Sequence, residues 1–308
     1  MAAFTRSLGP GDALAGLGSS LPPTSHAHIT LARINLLDGS AIANFIAEFR
    51  PTHILHLAAL SSVQQSLGCA AETWRSNVLG LLNLAEAVVA HAKDATFLFV
   101  SSGEVYGRAF LSGVPIDEST RPWPTNTYSR TKLVGEELLV DTLASADVKL
   151  VTLRPFNHIG PGQDERFVVP SFAGQVARIE AGLGPPVVSV GDLSAKRDFL
   201  DVSDVVAAYV ALVQASDGLP DRSTFNIASG LARPISDILD YLTSKARVFF
   251  EVRVVGDRLR PSEIPTASGD ASALTAAIGW RPKVSWDESI TSVLDDARSR
   301  ILATKELN

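Results

Sequence analysis

From about residue 34 to Arg154, short apolar runs alternate with longer stretches of helical periodicity. His53-Ile54-Leu55-His56-Leu57-Ala58-Ala59 predicts a strand that ends in small residues. Residues 72–91 then set Trp74, Val78, Leu81, Leu82, Ala85 and Val88 at helical spacing. Residues 96–101 form a continuous apolar run of the kind found in strands buried on both faces. A helix from Tyr128 to Leu143 and a strand over 149–154 complete the series. This order predicts an α/β fold with a doubly wound parallel sheet.

The character changes after Arg154. Loops lengthen, Gly and Pro gather at 160–162 and 182–186, and helical patterns recur near 168–181, 204–215 and 234–244. The division this predicts is a main domain over 1–154 and a smaller α/β lobe over 155–308, with some segments of the lobe returning to the main sheet. Ligands of such sheets bind beyond the carboxyl ends of the strands, which directs attention to the loops following residues 59, 102 and 154.

Composition narrows the classes. The chain has 308 residues, 46% hydrophobic and 19% charged, enough for a sizeable core. Its net charge is −6 with no basic run, which argues against a nucleic-acid partner. Cys69 is alone, so neither an internal disulfide nor a cysteine-based metal site is expected. No run reaches the roughly 18 apolar residues of a membrane span, and the Gly- and Pro-rich first 25 residues lack the apolar core of a signal peptide. A cytoplasmic location is the expectation.

Tyr128 and Lys132 stand four positions apart, on one face of the predicted helix. A phenol, with an unperturbed pKa of about 10, is a poor proton carrier near neutrality, and a neighbouring cation lowers that value. Alone, this spacing is more often surface decoration. Context changes the weighing, because Ser101-Ser102 closes the buried strand at the sheet's carboxyl edge, and Pro122, Pro124 and Asn126 lead directly into the helix. A Ser102 hydroxyl there can bond a carbonyl oxygen while Tyr128 moves the proton; the blander alternative is a hydroxyl that satisfies a strand-end backbone group.

Ser102-Gly103-Glu104-Val105-Tyr106-Gly107, the Tyr128/Lys132 pair and Arg154-Pro155-Phe156-Asn157 together resemble the extended short-chain dehydrogenase/reductase, or NAD-dependent epimerase/dehydratase, family. The stretches 157–163, 196–202 and 259–265, and Gly279-Trp280-Arg281-Pro282, look like its GDP-sugar branch. The resemblance covers roughly residues 34–300. It implies a Rossmann-like dinucleotide-binding domain followed by a nucleotide-sugar lobe, with NADP or NAD as cofactor. It further implies Ser102, Tyr128, Lys132 and Glu104 as catalytic residues. Asn35, Leu36, Leu57, Ala58, Ala59, Asn77, Tyr128, Lys132 and Phe156 match cofactor-binding positions. Ser102, Asn157, Arg197, Arg260 and Glu263 match substrate-binding ones, arginine suiting diphosphate oxygens through its planar fork. His158, beside the turn at Gly160-Pro161-Gly162, reads as structural. Relatives commonly form homodimers through a four-helix interface built from helices like 72–91 and 128–143.

The start of the chain departs from this pattern. Such folds open with an apolar strand and a Gly-x-x-Gly-x-x-Gly turn that receives the pyrophosphate. Gly9, Gly11, Gly16 and Gly18 have the wrong spacing, and Thr5-Arg6-Ser7-Leu8 makes a poor central strand. Residues 1–33 are therefore expected to be atypical, with the first strand and glycine turn altered or missing and the glycines serving as ordinary loop residues.

The leading functional expectation is NAD(P)H-dependent reduction of the C4 keto group of a GDP-linked 4-keto-6-deoxyhexose. A second is 4,6-dehydration of GDP-mannose, in which a carboxylate at the place of Glu104 removes the C5 proton. A third, motivated by the altered start, is a non-catalytic GDP-sugar-binding protein with an impaired cofactor site.

Overall fold

A computed structural model describes residues 13–18, 29–61, 68–146, 148–256 and 263–306. Strand β1 (Leu14–Gly18) pairs in parallel with β2 (Ile29–Arg33), Leu14 opposite Ile29. Gly16 and Gly18 thus lie within a strand, which corrects their reading as loop residues. The tolerance of a two-stranded ribbon for small residues explains the miss, since neither Ala nor Gly signals a strand by propensity. The remainder of the glycine-rich start, residues 1–12 and 19–28, lies outside the described residues.

Helix α1 (Gly39–Phe49) is capped by the Asp38 side chain, which accepts from the Ala41 N–H. Strand β3 (His53–His56) follows. A long helix α2 is assembled from Ala70–Trp74, a π-helical turn Arg75–Leu79, and Gly80–His91. Strand β4 (Thr96–Val100) is buried at every position. A 3₁₀ segment, Gly103–Ser112, leads on towards α3 (Thr127–Ala144), which starts in a reciprocal capping box between Asn126 and Ser129. Then come β5 (Lys149–Pro155), β6 (Asn157–Ile159), α4 (Val168–Glu180), β7 (Val187–Val190), β8 (Lys196–Asp201), α5 (Val202–Gln214) and β9 (Ser223–Ile227). The chain ends with β10 (Ala232–Pro234), α6 (Ile235–Lys245), β11 (Glu251–Val254), β12 (Thr266–Ala267), α7 (Ser272–Ile278) and α8 (Trp286–Glu306).

The main sheet is parallel throughout, in the order β3-β4-β5-β9. Successive side chains of a strand face opposite ways, so the apolar run of β4 feeds two cores. Phe97 and Phe99 join Leu81, Val88 and Leu139 on the side of α1, α2 and α3. Leu98 and Val100 join Val205, Leu212 and Trp280 on the side of α5 and α7. Covering helices on both faces are what make an uninterrupted apolar strand soluble. Strand β9, from beyond residue 155, pairs with β5 in this sheet. Another core packs α4, α6 and α8 around β7 and β8. Strand β8 pairs with β6, β10 and β12, bringing the 157–159 and 266–267 stretches beside the main sheet's carboxyl end.

Gly107 kinks the 3₁₀ segment with φ +48°, and a Cβ there would lie 2.1 Å from the Trp123 carbonyl oxygen. Gly107→Ala should cost at least about 2 kcal/mol through backbone strain and overlap, lowering Tm by roughly 3 °C or more. Gly113, with φ +75° and open space around its Cβ position, is the control. A loss no larger than that of Gly113→Ala in thermal denaturation would show that the Trp123 segment yields.

Candidate functional site

The loops after β3, β4 and β5 open into one cleft of about 1550 Å³, whose walls include Leu57, Ala58, Ala59, Ser102, Glu104 and Tyr128. That exceeds the roughly 300–1,000 Å³ of a single small-ligand pocket, because the space continues down the edge of β3 as far as His53 and Ser216. The cleft also runs along the outer edge of β3 towards Ala13–Gly16, between Phe45 and Phe49 of α1 and Val206 and Tyr209 of α5.

Ser102, Tyr128 and Lys132 all line this cleft and are all buried. Ser102 caps the 3₁₀ segment, its Oγ accepting from the Glu104 N–H at 3.2 Å. Burial pushes the Tyr128 phenol up to about 12; the Ser102 hydroxyl opposes this and the Glu104 charge adds to it. Lys132 is pulled down to about 8 by burial, which the charge of Glu136 resists. Its Nζ donates to the Val100 carbonyl at 2.7 Å and lies 5.1 Å from the Phe99 ring centroid. The expected lowering of the phenol pKa by Lys132 is therefore not what this geometry produces. The ammonium is spent on the strand end, and desolvation governs the phenol.

Glu104 is raised by burial, with Arg197 and the Asn126 side chain drawing it back; Asn126 Nδ2 donates to its Oε2 at 3.5 Å. Asn126 thus both caps α3 and contacts a cleft carboxyl. Sequence reasoning placed it only as a lead-in to the helix, although its position two residues before Tyr128 was a usable signal.

Beneath these groups lies a polar network. Arg154 donates to Glu136 from Nε at 3.0 Å and Nη2 at 2.6 Å, and from Nη1 to the Tyr106 hydroxyl at 2.9 Å. Tyr106 in turn donates to Asn226 Oδ1 at 2.8 Å, and Ser101 Oγ donates to Glu136 Oε1. Glu136 was not singled out from the sequence, yet it extends the Tyr128/Lys132 row by one further helical turn.

Several expected contacts fall elsewhere. Asn77 is buried in the π-helical turn, and its Oδ1 accepts from the Leu60 N–H at 2.8 Å. Its Nδ2 donates to the Leu60 carbonyl at 3.3 Å and to Thr131 Oγ1 at 3.0 Å, so the side chain clamps the 57–61 loop to α3 and does not line the cleft. Asn35 is exposed and accepts from the Leu37 N–H, whereas Leu36 does line the cleft. Arg197 Nη1 donates to the carbonyls of Lys196 and Ile264, leaving its charge facing Glu104. Glu263 is exposed and pairs with Arg108 at 3.6 Å, outside the cleft wall. The geometry of short polar side chains and of surface ion pairs is set by tertiary neighbours that residue type cannot reveal. Arg260 lies outside the described residues.

Phe156 and Asn157 line the cleft. The Phe156 ring packs edge-on against Phe110, and a Cβ on Gly103 would come within 3.0 Å of it. His158 is lowered by burial, and its Nδ1 lies 3.1 Å from the Phe156 carbonyl oxygen. A dinucleotide's nicotinamide end fits these walls: Ala58 and Ala59 allow close approach, Gly103 keeps the floor at Phe156 clear, and Tyr128 and Lys132 stand alongside. Residues 19–28, which follow β1 in the chain, lie outside the described residues. Among the described residues no cluster of His, Cys, Asp or Glu could hold a metal ion, and no helix is long and apolar enough to cross a membrane.

The profile of the GDP-mannose 4,6 dehydratase family matches residues 16–293. GDP-6-deoxy-D-mannose reductase of Pseudomonas aeruginosa is 35% identical over 269 residues, 87% of each chain. Human GDP-mannose 4,6 dehydratase is 26% identical over 281 residues, 84% of this chain and 74% of its own. The solved structure of RMD from P. aeruginosa complexed with NADPH aligns with a TM-score of 0.82 at 34% identity, covering 90% of this chain and 92% of that one. UDP-glucose 4-epimerase of Thermus thermophilus in complex with NAD aligns at 0.78 and 29% identity, over 92% and 90% of the two chains.

The electrostatics of the cleft floor can be read directly. Lys132 should titrate near pH 8, followed by NMR of lysine labelled at Cε, while Tyr128 stays protonated until about pH 12. A Lys132 titration near the unperturbed value of about 10.4 would show that the ammonium is far better solvated than its burial implies.

Proposed function

This chain belongs to the GDP-mannose 4,6-dehydratase family of extended short-chain dehydrogenases/reductases, and we propose that within it the protein reduces the C4 keto group of a GDP-linked 4-keto-6-deoxyhexose to give GDP-D-rhamnose. The observation that carries this reading is the 35% identity to GDP-6-deoxy-D-mannose reductase over 87% of each chain, with Ser102, Tyr128 and Lys132 lining one cleft. Ketone reduction consumes a proton at the carbonyl oxygen, and a neutral phenol is the form that can supply it. Removal of a proton would require the phenolate that burial disfavours.

NAD(P)H, when bound, supplies the hydride that goes to C4. Ser102 donates a hydrogen bond to the keto oxygen, and Tyr128 transfers its phenolic proton to that oxygen as negative charge develops. The Lys132 ammonium, held on the Val100 carbonyl, keeps a positive charge in the same cleft as negative charge develops. Leu36, Leu57, Ala58, Ala59 and Phe156 form the cofactor wall. Asn157, which lines the cleft, and Arg197, whose charge faces Glu104, serve the GDP-sugar. Glu104 is the residue a dehydratase would use as base. Burial raises its carboxyl, with Arg197 and Asn126 opposing, and a raised carboxyl suits a general base as well as a spectator, so Glu104 does not separate the two readings.

Surface chemistry supports a homodimer. Trp74 and Leu79 on α2 and Val134 and Val140 on α3 are exposed apolar side chains on two helices packed against each other. Two copies meeting through this face would bury them in a four-helix interface. A cytosolic location suits the nucleotide ligands and the single exposed Cys69.

Purified protein given GDP-4-keto-6-deoxymannose should oxidise NADPH or NADH stoichiometrically with deoxysugar formation. Given GDP-mannose alone, it should accumulate no keto sugar; accumulation there would establish the dehydratase instead. Tyr128→Phe should lower kcat by about 10²–10⁴-fold while GDP binding stays within a few-fold, since the ring's packing is kept. Full turnover by that variant would sink the assignment of the proton donor. Val134→Arg should shift the protein to monomer in analytical ultracentrifugation, and an unchanged dimer would place the interface elsewhere.

A further inference from the structure

The mechanism above uses Tyr128 and Lys132 but leaves the charged network beneath them without a task. Glu136 sits one helical turn beyond Lys132 on the buried side of α3 and accepts from three donors: Ser101 Oγ, Arg154 Nε and Arg154 Nη2. Ser101 is the residue before Ser102 in the chain. Arg154 stands two residues before Phe156 on β5. One carboxylate therefore touches the strand end that carries the hydroxyl, the strand that leads to the cleft floor, and the helix that carries both proton-transfer groups.

We propose that Glu136 is a positioning residue for proton transfer: its carboxylate, locked by Arg154 and Ser101, fixes both the charge facing Lys132 and the strand end that bears Ser102. The proposal rests on the reading of Tyr128 and Lys132 as the proton-transfer pair. Arg154 is what makes the lock rigid. Its guanidinium meets Glu136 through two hydrogen bonds, a geometry that fixes the carboxylate's plane as well as its distance. Its remaining arm reaches Tyr106, whose ring it also overlies at 4.9 Å.

The groups around Lys132 leave this role to Glu136. From β3, His56 is pushed down to about 3 by burial and by Lys132 itself, so it stands neutral and brings no charge. From β4 come the Phe99 ring and the Val100 carbonyl, which orient the ammonium without carrying a formal charge. Within α3, Tyr128 is protonated near neutrality. Glu136 is the anion that resists the loss of the Lys132 proton, and Arg154 acts on Lys132 by way of that anion. Deleting the negative charge should lower Lys132 below its value of about 8, so activity should begin to fail at lower pH on the basic side.

The test compares wild type with Glu136→Gln, which keeps one acceptor oxygen for Arg154 Nε and Ser101 Oγ but sets an amide N–H against Arg154 Nη2, and Glu136→Asp, which keeps the charge but shortens the reach. Two readouts are taken: the Lys132 titration by NMR without any added ligand, and the basic limb of kcat against pH with NADPH and the keto sugar. Glu136→Gln is expected to move both down by at least about one pH unit and to lower kcat at pH 7.5 by tenfold or more, with KM for the sugar within threefold. Glu136→Asp is expected to keep the Lys132 titration within about 0.3 unit of wild type while losing kcat through displaced geometry. Should the unpaired arginine keep Glu136→Gln from folding, the double variant Glu136→Leu/Arg154→Met removes both charges and must still lower the Lys132 titration. An unmoved titration in the folded charge-deleting variant, or an equal fall in Glu136→Asp, overturns the proposal. A wild type that is inactive on the keto sugar instead refutes the functional reading, and leaves the titration to decide the role of Glu136.

Discussion

Arg154 carries a permanent charge into the carboxyl end of a sheet covered on both sides. Burial works against that charge, but the hydrogen bonds and charge of Glu136, with the help of Tyr106, outweigh it and hold the guanidinium above its ordinary pKa. Removing one member of such a buried pair typically costs about 3–5 kcal/mol, mostly the penalty of stranding the other. The pair is therefore a condition on the fold as well as a contact within it. To satisfy Arg154, α3 must lie against β5 at one height and one rotation. To satisfy the remaining lone pairs of Glu136, Ser101 must close β4 at the same level. Through Tyr106 and Asn226 the condition extends to β9. Three strand ends and a helix are thereby placed in register, and the cleft is what remains above them.

Above that network, burial acts on every titratable group in one sense. It raises Tyr128 and Glu104 and lowers Lys132 and His56, in each case favouring the neutral form. The groups differ in what resists it. Glu104 has Arg197 and Asn126, Lys132 has Glu136, and Tyr128 has only the Ser102 hydroxyl. A phenol left to burial remains a proton donor, and a lysine supported by a carboxylate retains its charge to a higher pH than burial alone would allow. Donor and counter-cation thus arise from one low-dielectric environment, distinguished by the single acidic residue one turn along the helix.

The parts of this arrangement that could be read from the chain are those set by periodicity. A run such as Thr96–Val100 has to be buried on both sides, and Tyr128 and Lys132 have to share a helix face, whatever surrounds them. Ser102 was legible because a strand's last residues meet the cleft by geometry. The direction of the Lys132 ammonium was not legible, because a flexible four-carbon stem can serve the Val100 carbonyl as readily as a phenol. Nor was the task of Asn77. A π-helical turn shifts the phase of one helix by a residue, and apolar spacing on either side of it still reads as a continuous helix. Strand β1 escaped notice because it is built from Leu, Ala and Gly, with no apolar alternation to mark it.

The π-helical turn completes the constraint begun by Glu136. By turning Asn77 inward, it spends the amide on both backbone groups of Leu60 and on Thr131, whose hydroxyl bonds the Tyr128 carbonyl at 2.8 Å. The loop after β3, which forms the cofactor side of the cleft, is thus tied to the same turn of α3 that carries the phenol. Glu136 ties the next turn to the floor. Lys132 lies between the two clamps, so neither the loop nor the strand ends can move without shifting the helix that holds it. Proton transfer to a substrate oxygen tolerates little misplacement of donor and acceptor. A helix held at two successive turns, by an amide towards the cofactor wall and by a carboxylate towards the sheet, supplies that precision without any rigid group inside the cleft itself.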